Sequence, residues 1–214
     1  MTHAQLHAQP HAHPHSHLQA QARIPTPLGT MTAAATANGL AGLWFDDQAH
    51  HPGPLAVPTD PAHPHLRAAA CAVQAHFGGA SQPLQGLALD LRGTAFQQAV
   101  WRALIALPRG ATSTYGQIAS AAGSPAAVRA AGAAIGRNPV SVLVPCHRVL
   151  GRDGSLTGYA GGLPRKTALL RAEGVLLTTS LRLAAHLAGG LAPGPAAGMP
   201  PALAAGLASG MQSA

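Results

Sequence analysis

The chain has 214 residues, of which 47% are hydrophobic and 3% aromatic, and its formal net charge is +7. This length and composition predict one or two compact soluble domains. The nearly uncharged stretch from Leu183 onward is interrupted by Pro193, Pro195, Pro200 and Pro201, which excludes a membrane span.

Positive charge is concentrated in the second half of the chain. Two of the thirteen basic residues precede Leu91, whereas the other eleven follow it with only two acidic residues. A field of this sign indicates a polyanionic partner for the second half, and a generic solubilising surface is the alternative. The N-terminus has no basic start followed by an apolar run, so we expect a cytoplasmic protein with free thiols at Cys71 and Cys146.

Residues 1–26 are predicted to form a disordered tail. Six histidines, from His3 to His17, are spaced among Ala, Gln and Pro in low-complexity sequence without a face that could pack. Imidazole is a common zinc and nickel ligand, but such a tract has no fixed geometry. No metal site is therefore predicted there.

Residues 27–90 have the pattern of a small α/β domain without evident chemistry. The Asn38-Gly39 pair between the apolar stretches of residues 34–45 predicts a β-hairpin. Residues 67–77 are expected to form an amphipathic helix, and residues 84–91 a further strand.

Residues 91–175 are expected to form a mainly helical domain. Thr94 and Gln97 fit a capping box for a helix that stops at Pro108. A second helix is predicted over residues 115–122, and Ser124-Pro125 is expected to cap a third that reaches about Arg137. Two helices joined by a short turn form a helix-turn-helix pattern.

A short apolar run and a last helix complete this domain. Residues 140–144 are expected to form a buried strand that ends at Pro145 and places Cys146 at its end. A helix is predicted over residues 165–173, closed by Gly174. Residues 176–214 are expected to be a flexible Ala/Gly/Pro-rich tail.

The predicted third helix has two different faces. One is an apolar stripe suited to the core, formed by Val128, Ala131 and Ile135. The other carries Arg129, Gly132, Ala133 and Gly136 at helical spacing. Two glycines inside a helix cost about 1 kcal/mol each relative to alanine, so close approach to another surface should compensate for them. That surface could be a nucleic-acid groove with the arginine as a wedge, or another helix of the same protein.

The Pro145-Cys146-His147-Arg148-Val149 run is the densest chemical cluster in the chain. A thiolate is a strong nucleophile, and a neighbouring imidazole, guanidinium or tight turn could each lower the pKa of the thiol. A cysteine after a strand is otherwise a small buried hydrophobe. The adjoining histidine and arginine favour the nucleophile.

Six segments of the second half form a pattern of known order and spacing. They are residues 93–97 with 100–101, 114–119, 129–132 with 138–139, 145–149, 158–162, and Lys166 with 169–170 and 173–174. In these segments the chain closely resembles the O6-alkylguanine-DNA alkyltransferase (methylated-DNA–protein-cysteine methyltransferase) family. The likeness is strong over residues 84–174 and weak over residues 27–79.

The resemblance implies a fold and a reaction. It implies a ribonuclease-H-like α/β domain followed by a winged-helix-like domain that binds the minor groove of double-stranded DNA. The protein would act as a monomer without a cofactor or metal. It would move the alkyl group of an everted O6-alkylguanine onto Cys146, once per molecule. The sequence leaves open whether O4-alkylthymine is also accepted.

The resemblance also implies catalytic roles around Cys146. His147, oriented by Glu173, would remove the thiol proton through a water molecule. Tyr115 would assist eversion of the nucleotide, and Asn138 would brace the turn before the active-site segment.

Further residues are expected to bind the DNA or the everted base. Arg129 would fill the space that the base leaves. The Val149 carbonyl, together with that of Cys146, would accept hydrogen bonds from the guanine amine, and the Ala160 N–H would donate toward O6. The other residues expected at the DNA or base are Gly132, Ala133, Arg148 and Tyr159.

Two other functions remain possible on the residues alone. One is a DNA-binding regulator in which the helix-turn-helix does everything, although the glycine-rich face offers few side chains that read base edges. The other is a cysteine hydrolase using Cys146 and His147. Adjacent residues on an extended chain point to opposite faces, which makes a direct thiol–imidazole pair awkward.

Overall fold

A computed structural model describes residues 17–175 as a mixed α/β fold. The elements, in chain order, are β1 (Ala20–Ile24), β2 (Met31–Ala35), β3 (Leu40–Phe45), α1 (Pro64–Phe77), α2 (Ala95–Ile105), β4 (Ser113–Thr114), α3 (Tyr115–Ala121), α4 (Val128–Gly136), a 3₁₀ turn (Cys146–Arg148), β5 (Val149–Leu150) and α5 (Leu163–Ala172). The predicted tail at 176–214 and the first sixteen residues of the predicted N-terminal tail lie outside the described residues.

The first half contains an antiparallel sheet of order β1-β2-β3. The predicted hairpin at Asn38-Gly39 joins β2 to β3 and is confirmed. The prediction of a tail up to residue 26 is wrong for Ala20–Ile24, which pairs with β2 along its whole length. Its residues alternate between the core and a more exposed face, and the Gln21 side chain donates to the Leu55 and Val57 carbonyls.

Helix α1 covers the sheet. It begins at Pro64, three residues before the predicted start, and buries Leu66, Ala69 and Val73. The predicted strand at residues 84–91 is wrong, because this segment makes only an isolated bridge between Leu40 and Leu89. An extended segment that exchanges hydrogen bonds with one residue of an edge strand does not continue as a ladder.

The predicted capping of α2 is confirmed, and α3 has the same kind of cap. Thr94 and Gln97 exchange side-chain and backbone hydrogen bonds at the start of α2, and Thr114 and Gln117 do so at the start of α3. The Trp101 indole donates to a carbonyl of α4 over 2.9 Å, which fixes α2 against that helix.

Helix α4 differs from the prediction at its start. The Ser124 carbonyl accepts from the Ala127 N–H in a turn, so the helix begins at Val128 and has no side-chain cap. Val128 is 40% exposed, which makes its predicted place in the core wrong, whereas Ala131 and Ile135 are buried as predicted.

The two halves share one hydrophobic core cluster. It includes Met31 and Phe45 of the sheet, Val100 of α2, Val144 before the 3₁₀ turn and Leu169 of α5. Both cysteines are free thiols, as predicted. Within residues 17–175, none of the helices has the length and apolar character that crossing a bilayer requires.

Candidate active site

The segment before Cys146 is a strained turn rather than the predicted strand. The Leu43 N–H donates to the Pro139 carbonyl, and the Leu43 carbonyl accepts from the Ser141 N–H, both at 2.8 Å, but pairing ends there. Val142 then adopts a φ of 72°, a conformation that β-branched residues rarely take. The reversal places the following residues behind α4 instead of extending the sheet.

Asn138 holds this turn in place. Its Nδ2 lies 2.8 Å from the Val144 carbonyl, 3.3 Å from the Val140 carbonyl and 3.1 Å from Cys146 Sγ. Its Oδ1 accepts from the Val140 N–H at 3.0 Å. One buried amide therefore links the end of α4, the strained turn and the thiol, in the position expected of a bracing residue.

Cys146 begins the 3₁₀ turn and is 5% exposed. Burial raises the pKa of its thiol, and the Asn138 hydrogen bond and the nearby Lys166 ammonium oppose that rise without cancelling it. The resting group is therefore a thiol. Because the thiolate is the reactive form, this site needs a base.

A buried histidine and carboxylate lie behind the thiol. His147 Nε2 is 2.9 Å from Glu173 Oε1, and both side chains are fully buried. Burial lowers the pKa of His147 despite the carboxylate beside it, so the imidazole is neutral near pH 7. With Nε2–H donating to Glu173, Nδ1 is an acceptor, and it has no hydrogen-bond partner among the protein atoms of residues 17–175.

Arg148 is the second partner of the same carboxylate. Its Nε and Nη2 donate to the two Glu173 oxygens at 2.8 Å each, and its Nη1 donates to the Leu107 carbonyl. Burial would raise the pKa of Glu173, but the His147 and Arg148 hydrogen bonds outweigh it and hold the pKa well below its usual range. The expectation that Arg148 binds DNA is not supported, because its guanidinium is committed to Glu173.

A cavity of about 240 Å³ opens onto Cys146. Its walls come from α3, α4, the loop after β3 and the loop before α5. The lining residues are Ala49, His50, Tyr115, Gly132, Ile135, Gly136, Cys146, Gly158, Tyr159 and Ala160. The thiol is therefore buried but reachable.

The two glycines of α4 line this cavity. A Cβ on Gly136 would meet nothing within 4 Å, and one on Gly132 would make only ordinary contact with the Tyr115 ring at 3.6 Å. Tight packing within the described residues therefore does not explain either glycine. Arg129 and Ala133, on the same helix, are exposed.

The tyrosines and Ala160 lie around the cavity as follows. Tyr115 Oη is 3.3 Å from the Thr157 hydroxyl, across the mouth. The Tyr159 ring lies edge-on to the His147 ring, with the two centroids 6.4 Å apart. Burial raises the pKa of the Tyr159 hydroxyl. The Ala160 carbonyl accepts from the Ala49 N–H at 2.9 Å, which ties this wall to the first half of the chain.

Sequence reasoning assigned no role to Lys166. Its ammonium is fully buried and donates to the carbonyls of Val149, Thr157 and Gly158 at 2.6, 2.5 and 3.2 Å. Burial lowers its pKa to about 8. Lys166 joins the loop of Tyr159 to the strand that follows the 3₁₀ turn. The sequence signal for it was its place in the family pattern, which did not indicate what it contacts.

His50 was also missed. It lines the cavity from the loop after β3 and has a φ of 62°, which is uncommon for a residue other than glycine. No motif marks it, because its neighbours belong to the half of the chain in which the family resemblance is weak.

One group within residues 17–175 has donor atoms close enough to hold a metal ion. His76, His147 and Glu173 each offer one such atom, all within 4.8 Å of one another. Glu173 already accepts two charged hydrogen bonds from Arg148, so a cation there would meet a guanidinium. The arrangement fits an ion pair better than a metal site.

Comparison with known proteins shows the family. A model described as "6-O-methylguanine DNA methyltransferase, DNA binding domain" matches residues 95–175. The methylated-DNA–protein-cysteine methyltransferase of Mycobacterium tuberculosis is 43% identical over 150 residues, 70% of this chain and 89% of that protein. The chain belongs to the methylated-DNA–protein-cysteine methyltransferase family. The Haemophilus influenzae relative of the same name is 38% identical over 149 residues, 70% of this chain and 83% of that protein.

Solved structures related to this methyltransferase have the same fold. The Mycobacterium tuberculosis OGT structure in complex with DNA has a TM-score of 0.64 and 41% identity, over 72% of this chain and 92% of that chain. The O6-methylguanine-DNA methyltransferase from Pyrococcus kodakaraensis has a TM-score of 0.54 and 25% identity, over 73% and 99% of the two chains. The predicted membership of the alkyltransferase family is confirmed.

The free energy of unfolding should fall as the pH is lowered from 7 to 5. Burial lowers the pKa of His76 to about 4 and also lowers the pKa of His147. Below about pH 6.5 these two histidines therefore bind protons in the unfolded chain while they stay neutral in the folded chain, which favours unfolding. His76 alone should account for about 2 kcal/mol. Urea unfolding across this range measures the slope. The His76→Phe variant should lose the His76 part, and a flat wild-type profile would contradict the buried, neutral histidines.

Proposed function

We propose that the protein repairs DNA by transferring the alkyl group of O6-alkylguanine in duplex DNA to Cys146 Sγ, once per molecule. The observation that carries this proposal is a reachable thiol in a cavity beneath a glycine-faced helix, with a neutral histidine and a carboxylate behind it. Methyltransferase activity and DNA repair follow from family membership.

The chemistry needs one proton transfer and one displacement. His147 Nδ1 takes the Cys146 proton through a water molecule, and Glu173 stabilises the imidazolium that forms. The thiolate attacks the alkyl carbon, so an S–C bond forms while the bond from carbon to O6 breaks. The electron pair of the broken bond stays with the purine, which takes up one proton to become guanine. The thioether is stable, and no step regenerates the thiol.

The everted base would occupy the cavity. The carbonyls of Cys146 and Val149 would accept from its exocyclic amine, and the Ala160 N–H would donate toward O6. Val149 also accepts from Lys166, but a carbonyl oxygen has two lone pairs and can serve both. Tyr159 would pack along the base, and Tyr115, at the mouth, would assist eversion.

DNA would bind along α4 through the minor groove. Gly132 and Ala133 leave the helix face flat, so the groove can approach closely, and the exposed Arg129 would enter the stack where the base has left. The concentration of basic residues in the second half favours a polyanionic partner for that half. The finer architecture belongs to this proposal: residues 27–90 as a ribonuclease-H-like domain, residues 91–175 as a winged-helix-like domain, and a monomeric cytoplasmic protein.

The alternatives are less favoured. A regulator without chemistry would not need a reachable thiol in front of a buried histidine and carboxylate. A cysteine hydrolase would return the thiol after each cycle, whereas a captured alkyl group on sulfur has no acyl carbon for water to attack. Both would leave the protein unmodified after reaction.

Replacing Cys146 with alanine should abolish alkyl transfer and leave DNA affinity within about twofold, because the side chain is reactive but small and buried. Transfer is followed with a radiolabelled methyl group on O6-methylguanine in a duplex, and affinity by fluorescence anisotropy. Cys71, an exposed free thiol on α1, provides the matched control, and Cys71→Ala should retain full transfer. Transfer that survives in Cys146→Ala would refute the assignment of the nucleophile.

Replacing Arg129 with alanine should slow repair of duplex DNA by about tenfold or more, while reaction with free O6-benzylguanine base changes little. The reason is that the arginine stabilises the everted state, which a free base does not need. Single-turnover rates with both substrates test this. Arg171→Ala removes an exposed arginine from α5 and is the charge-matched control. Equal losses with both substrates in Arg129→Ala would rule out the wedge.

A further inference from the structure

A second histidine lies behind the His147–Glu173 pair. His76 is in the last turn of α1, a helix of the first half of the chain, and is 2% exposed. It belongs to none of the segments that carry the family resemblance. Its side chain nevertheless reaches the polar pair at the centre of the second half.

The contact is one of packing and not of hydrogen bonding. The rings of His76 and His147 meet edge to face, with centroids 6.0 Å apart and an interplanar angle of 79°. His76 Nε2 is 4.0 Å from Glu173 Oε1, which is beyond hydrogen-bond distance. The His76 ring also packs edge-on against the Phe77 ring, with centroids 5.4 Å apart. His76 thus supplies the wall against which the imidazole of His147 rests.

The backbone of His76 is fixed to the same region. Arg109 donates from Nη1 to the His76 carbonyl at 3.2 Å and from Nη2 to the Ala172 carbonyl at 2.6 Å. Ala172 immediately precedes Glu173 in the chain. One guanidinium therefore joins the end of α1 to the end of α5, and the His76 ring is held at a set distance from the carboxylate.

An uncharged ring suits this position. The charged groups around it are Glu173, Arg148, Arg109 and, after proton uptake, His147. Burial lowers the pKa of His76 to about 4, so the ring is neutral when the protein works near pH 7. It can therefore support His147 in both of its protonation states without competing for the carboxylate.

We propose that His76 is a positioning residue for alkyl transfer, whose ring sets the orientation of His147 and keeps water away from Glu173. This inference rests on the proposed function, since it assigns a supporting residue to the base of that reaction. Through His76, the first half of the chain would support the base that lies in the second half.

Three variants test the proposal. His76→Ala removes the ring, and His76→Phe keeps an aromatic ring of similar shape without its nitrogen atoms. Val73→Ala is the matched control, because it shortens a buried side chain one turn earlier in α1. The first readout is the single-turnover rate at saturating O6-methylguanine duplex, alongside the dissociation constant for undamaged duplex. The second is the downfield proton NMR resonance of the His147 Nε2–H, measured without DNA.

His76→Ala should lose roughly tenfold or more in rate, within the range for a misplaced general base, at unchanged DNA affinity. Its His147 resonance should broaden or vanish. His76→Phe should keep the rate within about threefold and retain the resonance, and Val73→Ala should lower stability with neither effect. The proposal is overturned if His76→Ala keeps both rate and resonance, if His76→Phe is as slow as His76→Ala, or if Val73→Ala is equally slow. If the wild-type protein transfers no methyl group at all, the proposed function is wrong instead. The His147 Nε2–H resonance would still show whether His76 orients the His147 ring, because it is measured without DNA.

Discussion

The active site depends on the hydrogen bonds that the buried Glu173 carboxylate accepts. It accepts hydrogen bonds from His147 and, through two nitrogens, from Arg148, in surroundings that exclude water. Removing Arg148 would leave the Glu173 charge buried without compensation, which costs several kcal/mol. Because Arg148 also donates to the Leu107 carbonyl, the same carboxylate anchors α5, the 3₁₀ turn and the end of α2 together. Glu173 therefore contributes both to the stability of the fold and to the arrangement of the active site.

That arrangement explains how a buried thiol can be reactive. Burial keeps the Cys146 sulfur protonated, which protects a protein that can react only once, while Asn138 and Lys166 supply partial compensation for the thiolate. In the proposed reaction, the neutral imidazole of His147 accepts the proton of this thiol. The strained turn at Val142 also helps to expose the thiol to the cavity. It directs the chain away from the sheet, and Cys146 then lines the same cavity as α4.

Local signals in the sequence predicted much of the fold. The capping box at Thr94 and the Asn38-Gly39 hairpin were correct because their physics involves only neighbouring residues. The strand at Ala20–Ile24 was missed although its apolar and polar residues alternate, because alanine has a low strand propensity and the segment adjoins the histidine-rich tract. The run of residues 140–144 is as apolar as a strand, but hydrogen bonds from the Asn138 side chain to Val140 and Val144 hold it in a turn, which apolar periodicity does not indicate.

For the site too, the sequence indicated the residues of a local motif but not the contacts that form only on folding. The motif marked Cys146 and His147 as the chemical centre, yet it did not show that the Arg148 side chain turns inward or that Lys166 is buried beneath the loop. The most direct test is intact mass spectrometry after incubation with excess O6-methylguanine duplex, followed by peptide mapping. One methyl group per protein molecule, on the peptide that contains Cys146, is the expected result. An unmodified protein, continued turnover, or a methyl group on any other residue would contradict the account.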